Sequence, residues 1–119
     1  MPRVKSSSVS RKKKKKVFKL AKGYYGGKSR LSRTAQEAVA RALVYAYRDR
    51  KVRKREFRKI WITRINAKVR ENGLTYNHFI NGLKKSNINI NRKILAEMAV
   101  FDDAGFNKLI SIAKEAQGA

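Results

Sequence analysis

The chain has 119 residues, a length that suggests one domain built on a single core. It carries 31 Lys and Arg against 8 Asp and Glu, a formal net charge of +23, so the folded chain repels itself until a polyanion neutralises it. With no cysteine it has no disulfide, thiolate nucleophile or cysteine metal site, and no apolar stretch reaches the roughly 18 residues of a membrane span.

The basic start is not followed by an apolar signal core, so a cytoplasmic location without a membrane partner is expected. The charge is uneven along the chain. Residues 1–59 hold 22 basic and 3 acidic residues, residues 60–119 hold 9 and 5, and the two parts carry +19 and +4. This asymmetry suggests a charged arm, 1–59, joined to a more ordinary globular part, 60–119.

Residues 1–10 contain almost nothing to bury and are expected to be extended or ordered by a partner, with Arg3 and Lys5 as candidate contacts to a polyanion. From Arg11 to Lys22 a helix is possible, though Val17, Phe18, Leu20 and Ala21 are its only apolar residues and it would be marginal alone. Its cations Arg11, Lys12, Lys13, Lys14, Lys15, Lys16, Lys19 and Lys22 extend the candidate surface. An isolated lysine run is usually just solvated coil, but here the charge continues far beyond the run.

Gly23, Tyr24, Tyr25, Gly26 and Gly27 break the helical pattern and predict a bend. Rings beside glycines suit nucleic acid, because rings stack on splayed bases while bare backbone amides approach phosphates. Tyr24 is assigned to such contact. For Tyr25, contact and simple pinning of the bend weigh equally. Lys28, Arg30 and Arg33 add cations just beyond. Gly27, Lys28 and Ser29 resemble the end of a Walker phosphate loop, but Lys22 stands where its first glycine should be and no strand precedes it.

Leu31, Ala35, Ala38, Val39, Ala42, Leu43, Ala46 and Tyr47 recur mostly at steps of three and four, one stripe of a helix. With no Gly or Pro before Gly73, that helix could run from about Arg30 to Asn72, about 65 Å at 1.5 Å per residue. Its middle is basic on nearly every face, through Arg48, Arg50, Lys51, Arg53, Lys54, Arg55, Arg58 and Lys59. Arginine forks match phosphates and base edges, which a merely solvated face would not require. Asp49 and Glu56 are expected to pair with Arg53 and Lys59 at helical spacing.

Beyond Gly73, Thr75, Asn91 and Asp102 are cap residues that announce three short helices. The expected core takes Phe57, Ile60, Trp61, Ile65 and Val69 from the long helix and Phe79, Ile80 and Leu83 from the next. Ile94, Leu95, Met98, Phe106, Leu109, Ile110 and Ala113 complete it. Ile88 and Ile90 alternate like a strand but lack a partner, so they suggest an apolar-anchored loop. The fold class is all-α: a long basic N-terminal helical arm followed by a small helical C-terminal domain. Arg64, Lys84 and Lys85 are the candidate contacts of that domain.

Catalysis finds no support. His78 has no evident partner, the Asp102–Asp103 pair is better explained by helix capping, and no metal-ligand spacing or cofactor motif is present. A DNA-compacting protein would share the charge but should show a dimerisation surface or a groove-reading motif, and neither is recognisable.

Several segments together resemble one family. They are Lys19 to Gly23 with Tyr24 and Gly26, Ala46 to Arg50, Lys54 to Ala67 (KREFRKIWITRINA), Asn72 to Tyr76, Phe79 to Lys85 (FINGLKK) and Asn91 to Ala96 (NRKILA). In order and spacing the chain resembles the bacterial large-subunit ribosomal protein family L20 over nearly its whole length. It departs from the family pattern at Ser6 to Ser8, where a basic residue is usual, and at Lys28, where arginine is.

The resemblance implies a ribosomal RNA-binding protein, not an enzyme, whose long helical arm threads into the RNA. It also implies early binding in large-subunit assembly, with ribosomal RNA and neighbouring large-subunit proteins as partners and no homo-oligomer. In some members the globular domain represses the protein's own messenger RNA, a further partner to expect.

Overall fold

The computed structural model describes Arg3 and residues 5–118, so Met1, Pro2 and Val4 of the expected extended stretch lie outside the described residues. Among the described residues there are five α-helices and no strand. They are α1 (Ser7–Leu20), α2 (Ser32–Glu71), α3 (Tyr76–Lys85), α4 (Arg92–Phe101) and α5 (Asp103–Gly118), with a short 3-10 turn at Gly26–Ser29. The chain forms two compact units, one reaching Lys51 and the other beginning at Val52, and α2 contributes residues to both.

In the first unit α1 begins at Ser7 and not at Arg11, which corrects the expectation of extended chain up to residue 10. Once the basic run is helical, each further residue gains one hydrogen bond at little cost in serine propensity. The Ser10 amide accordingly donates to the Ser6 carbonyl at 3.0 Å. The helix stops at Leu20, short of Lys22, because Ala21 is drawn into the core and Gly23 turns the chain at a φ of +84°.

Ala21, Ala35 and Val39 form that small core, with Val17, Phe18 and Tyr24 packed against it. The stripe expected along the first half of α2 is therefore covered only at its start. Ala38 and Ala42 are half-buried, while Leu31, Leu43 and Tyr47 stand more than half exposed.

The second unit holds the larger core. Ile65 and Val69 of α2 meet Phe79 and Leu83 of α3, Leu95, Ala96 and Ala99 of α4, and Phe106, Leu109, Ile110 and Ala113 of α5. Phe79 and Phe106 pack with ring centroids 5.3 Å apart. Gly82 lets α3 approach α5 closely: a Cβ there would lie 2.5 Å from the Ala113 carbonyl oxygen.

All three cap residues act as expected. Thr75, Asn91 and Asp102 accept from the amides of His78, Ile94 and Gly105. Gly73, at a φ of +77°, ends α2, with the Leu74 amide bonding back to the Val69 carbonyl and Gly73 to Arg70. The same pattern ends α3 with Asn87 in the left-handed position: Ile88 donates to Leu83, and both Ile88 and Ile90 pack on the core as the loop anchor.

Three expected core residues are corrected. Phe57, Ile60 and Ile94 are 50%, 46% and 47% exposed. Phe57 and Ile60 lie on α2 before the short helices begin to cover it, and Trp61 is the first to pack against the core. Ile94 sits about 100° around α4 from Leu95, and it is Leu95, Ala96 and Ala99 that face inward. Trp61, Ile80 and Met98 border the core, half-buried.

Candidate nucleic-acid interface

Every side chain singled out as a nucleic-acid contact is exposed, apart from Tyr24. Tyr24 is half-buried against Ala21, Ala35 and Val39 and pins the bend, whereas Tyr25 is 94% exposed. Tyr25 precedes the 3-10 turn in extended conformation, and the Ser29 hydroxyl donates to the Gly26 carbonyl at 3.0 Å to hold the turn closed.

From Arg48 to Lys59 no residue is buried and Val52 alone is half-buried, so the cations face outward on every side of the helix. Asp49 pairs with Arg48 at 2.8 Å, not with Arg53. The bond from Arg48 holds the Asp49 carboxyl below its usual range and raises Arg48 further. Glu56 pairs with Lys59 as expected, at 2.8 Å. Among the described residues Arg50, Arg53, Arg55 and Arg58 have no carboxylate partner, which leaves their forks open for anions.

In the second unit Arg64, Lys84 and Lys85 are exposed, and the Lys85 amine also reaches the Ala116 carbonyl at 3.4 Å. Lys68 serves stability: it bridges Asp103 at 2.8 Å and Glu71 at 3.1 Å, and these two hydrogen bonds, Asp103 first, raise its pKa. Asp103 thus ties α5 to α2 while Asp102 alone caps.

One feature was missed at the sequence level. An open groove of about 680 Å³ lies in the first unit, walled by Tyr24, Tyr25 and Lys28 from the bend and by Thr34, Glu37, Ala38, Arg41, Ala42 and Tyr45 from α2. Glu37 accepts from Arg41 at 2.7 Å, and the Arg48 guanidinium lies 4.8 Å from the Tyr45 ring centroid. The signal is present as positions 34, 38, 41, 42 and 45 at helical spacing, but in the sequence Ala38 and Ala42 read only as part of the apolar stripe of a helix. His78 makes no site: its carbonyl accepts from the Gln117 amide at 2.5 Å and its side chain is on the surface. No cluster able to hold a metal ion occurs, and no helix is long and apolar enough to cross a membrane, among the described residues.

Comparison with known proteins gives a consistent result. Residues 3–109 match the profile of the family described as ribosomal protein L20. The large ribosomal subunit protein bL20 of Carboxydothermus hydrogenoformans is 61% identical over 115 residues, 97% of this chain and 98% of that protein. The bL20 proteins of Pelotomaculum thermopropionicum and Syntrophus aciditrophicus are 61% and 60% identical, each over 96% of this chain and 97% and 96% of their own.

Proposed function

The chain belongs to the ribosomal protein L20 family, a structural and not an enzymatic one, and from that premise we propose that it binds large-subunit ribosomal RNA directly and promotes assembly of the subunit in the cytoplasm. Residues 1–59 are the RNA-penetrating arm, and residues 60–119 are a globular part that shares the end of α2. Ribosomal RNA and neighbouring large-subunit proteins are the partners.

The observation that carries this reading is the stretch from Arg48 to Lys59. Eight cations occupy it, and Arg50–Lys54, Lys51–Arg55, Lys54–Arg58 and Arg55–Lys59 are like-charged pairs at i,i+4, each of which destabilises a helix in water. Nothing buried offsets that cost within the stretch. A surface of phosphates does so, by turning each repulsive pair into two charge-assisted contacts. The second unit, with Arg64, Lys84 and Lys85 exposed, retains enough charge for a modest RNA site of its own. Binding of the protein's own messenger belongs to that unit.

Filter binding of the full chain to a large-subunit ribosomal RNA transcript, beside duplex DNA of matched charge, tests the proposal. Tighter binding to the RNA is expected, along with loss of most of that affinity when Arg50, Arg53, Arg55 and Arg58 are replaced together by Gln. Equal affinity for the DNA, or indifference to the four substitutions, would overturn it.

A further inference from the structure

We infer that the groove between the bend and α2 is a pocket for one unstacked RNA base, with guanine preferred. The inference rests on the RNA-binding reading above and adds sequence readout to it. At about 680 Å³ the groove lies within the roughly 300–1,000 Å³ of small-molecule sites, ample for a single nucleotide.

Its lining is suited to a planar ring. Ala38 and Ala42, one turn apart on α2, form a floor of methyl groups, and the rings of Tyr25 and Tyr45 offer faces for stacking. Tyr25 is 94% exposed in a segment where its neighbour Tyr24 is packed down, so the chain presents this ring to whatever enters. Lys28 stands at the wall to meet the phosphate that accompanies the base.

Glu37 decides which base. Glu37 is the one carboxylate in the lining of the groove, so it repels a phosphate and accepts hydrogen bonds from donor groups. Its partner Arg41 makes an exposed pair at i,i+4, with the Glu37 side chain still 63% accessible, and such pairs are weak and open easily. Two carboxylate oxygens match the two adjacent donors on the Watson–Crick edge of guanine, the ring N–H and the exocyclic amine. Cytosine, uracil and adenine each present one donor beside an acceptor that repels the second oxygen. Arg41, released, pairs with a phosphate.

The test uses the full chain and four single-stranded RNA heptamers, uridine throughout except for G, A, C or U at the centre, followed by fluorescence anisotropy. The heptamer with central G is expected to bind roughly tenfold more tightly than the others. Glu37→Gln should abolish that ratio by lowering affinity for the central-G heptamer to the level of the other three, whose own affinity should not fall because a negative charge is removed, and Ala38→Leu should abolish it by filling the floor. Equal binding of the four heptamers, or a guanine preference that survives Glu37→Gln, would overturn the pocket and leave RNA binding intact. Failure of every heptamer and of the ribosomal RNA transcript to bind would overturn both.

Discussion

Replacing Gly82 by Ala puts the contact between α3 and α5 to a direct test. The new Cβ would lie 2.5 Å from the Ala113 carbonyl oxygen and 2.8 Å from both the Cα and the Cβ of Ala113, against the 3.4 Å at which ordinary contact begins. The helices must therefore part by almost 1 Å at a point where two of the three obstacles are backbone. Overpacking of this kind costs about 1–3 kcal/mol, with the upper end favoured because backbone cannot rotate away. Ala gains about 1 kcal/mol over Gly in helix propensity, so the net loss should be about 1–2 kcal/mol. In a unit of this size that corresponds to a fall in Tm of about 4–16 °C. Trp61, the only tryptophan, borders the core of that unit and reports its unfolding by fluorescence, with circular dichroism as the second probe. Adding Ala113→Gly removes one contact but leaves the carbonyl oxygen and Cα in place, so recovery should be partial. A Gly82→Ala protein as stable as the parent, or more stable by the propensity gain, would show that α3 and α5 do not meet there.

Phe106→Ala should cost about 3–5 kcal/mol and largely unfold the second unit, whereas Phe57→Ala, at a half-exposed ring, should cost well under half as much by denaturant titration. RNA binding should weaken by roughly 10³ to 10⁵ between about 50 and 200 mM salt if the arm meets about 6–10 phosphates, a range set by duplex DNA, and a nearly flat filter-binding curve would refute an electrostatic arm. Lys68→Met should lower Tm at low salt by removing the links to Glu71 and Asp103. Since the folded pKa of Lys68 is raised, this contribution should be fully present below the ordinary lysine pKa of about 10.4 and vanish as pH rises through the higher folded value. Melting of both proteins across alkaline pH measures it, and a Tm difference already lost near neutrality would contradict the assignment.

Much of the molecule was legible in the chain because the signals were local. Caps at Thr75, Asn91 and Asp102, the stop at Gly73 and the 3.6-residue period of α2 each depend on residues within a turn or two, so their geometry follows from the chain itself. The outward placement of the cations followed equally, since no core of this size could absorb them.

Decisions that hang on a partner element were not legible. Periodicity says which side chains share a face of α2 but not where along it a second layer begins, so Phe57 and Ile60 looked like core and are half bare, while Ala35 and Val39 are covered and Leu43 is not. Lys68 had an acid on its own helix, Glu71, to pair with, and only the packing of α5 against α2 brought Asp103 within 2.8 Å of it. The groove beside Glu37 exists because the bend at Gly23 brings Tyr25 and Lys28 back toward two alanines on α2. The sequence by itself determined the helices, their ends and the sign of the surface, for these are set within a few residues. Which apolar faces are covered, that Lys68 of α2 meets Asp103 of α5, and where a cavity opens were decided only by tertiary structure, because each depends on the distance between segments remote in the chain.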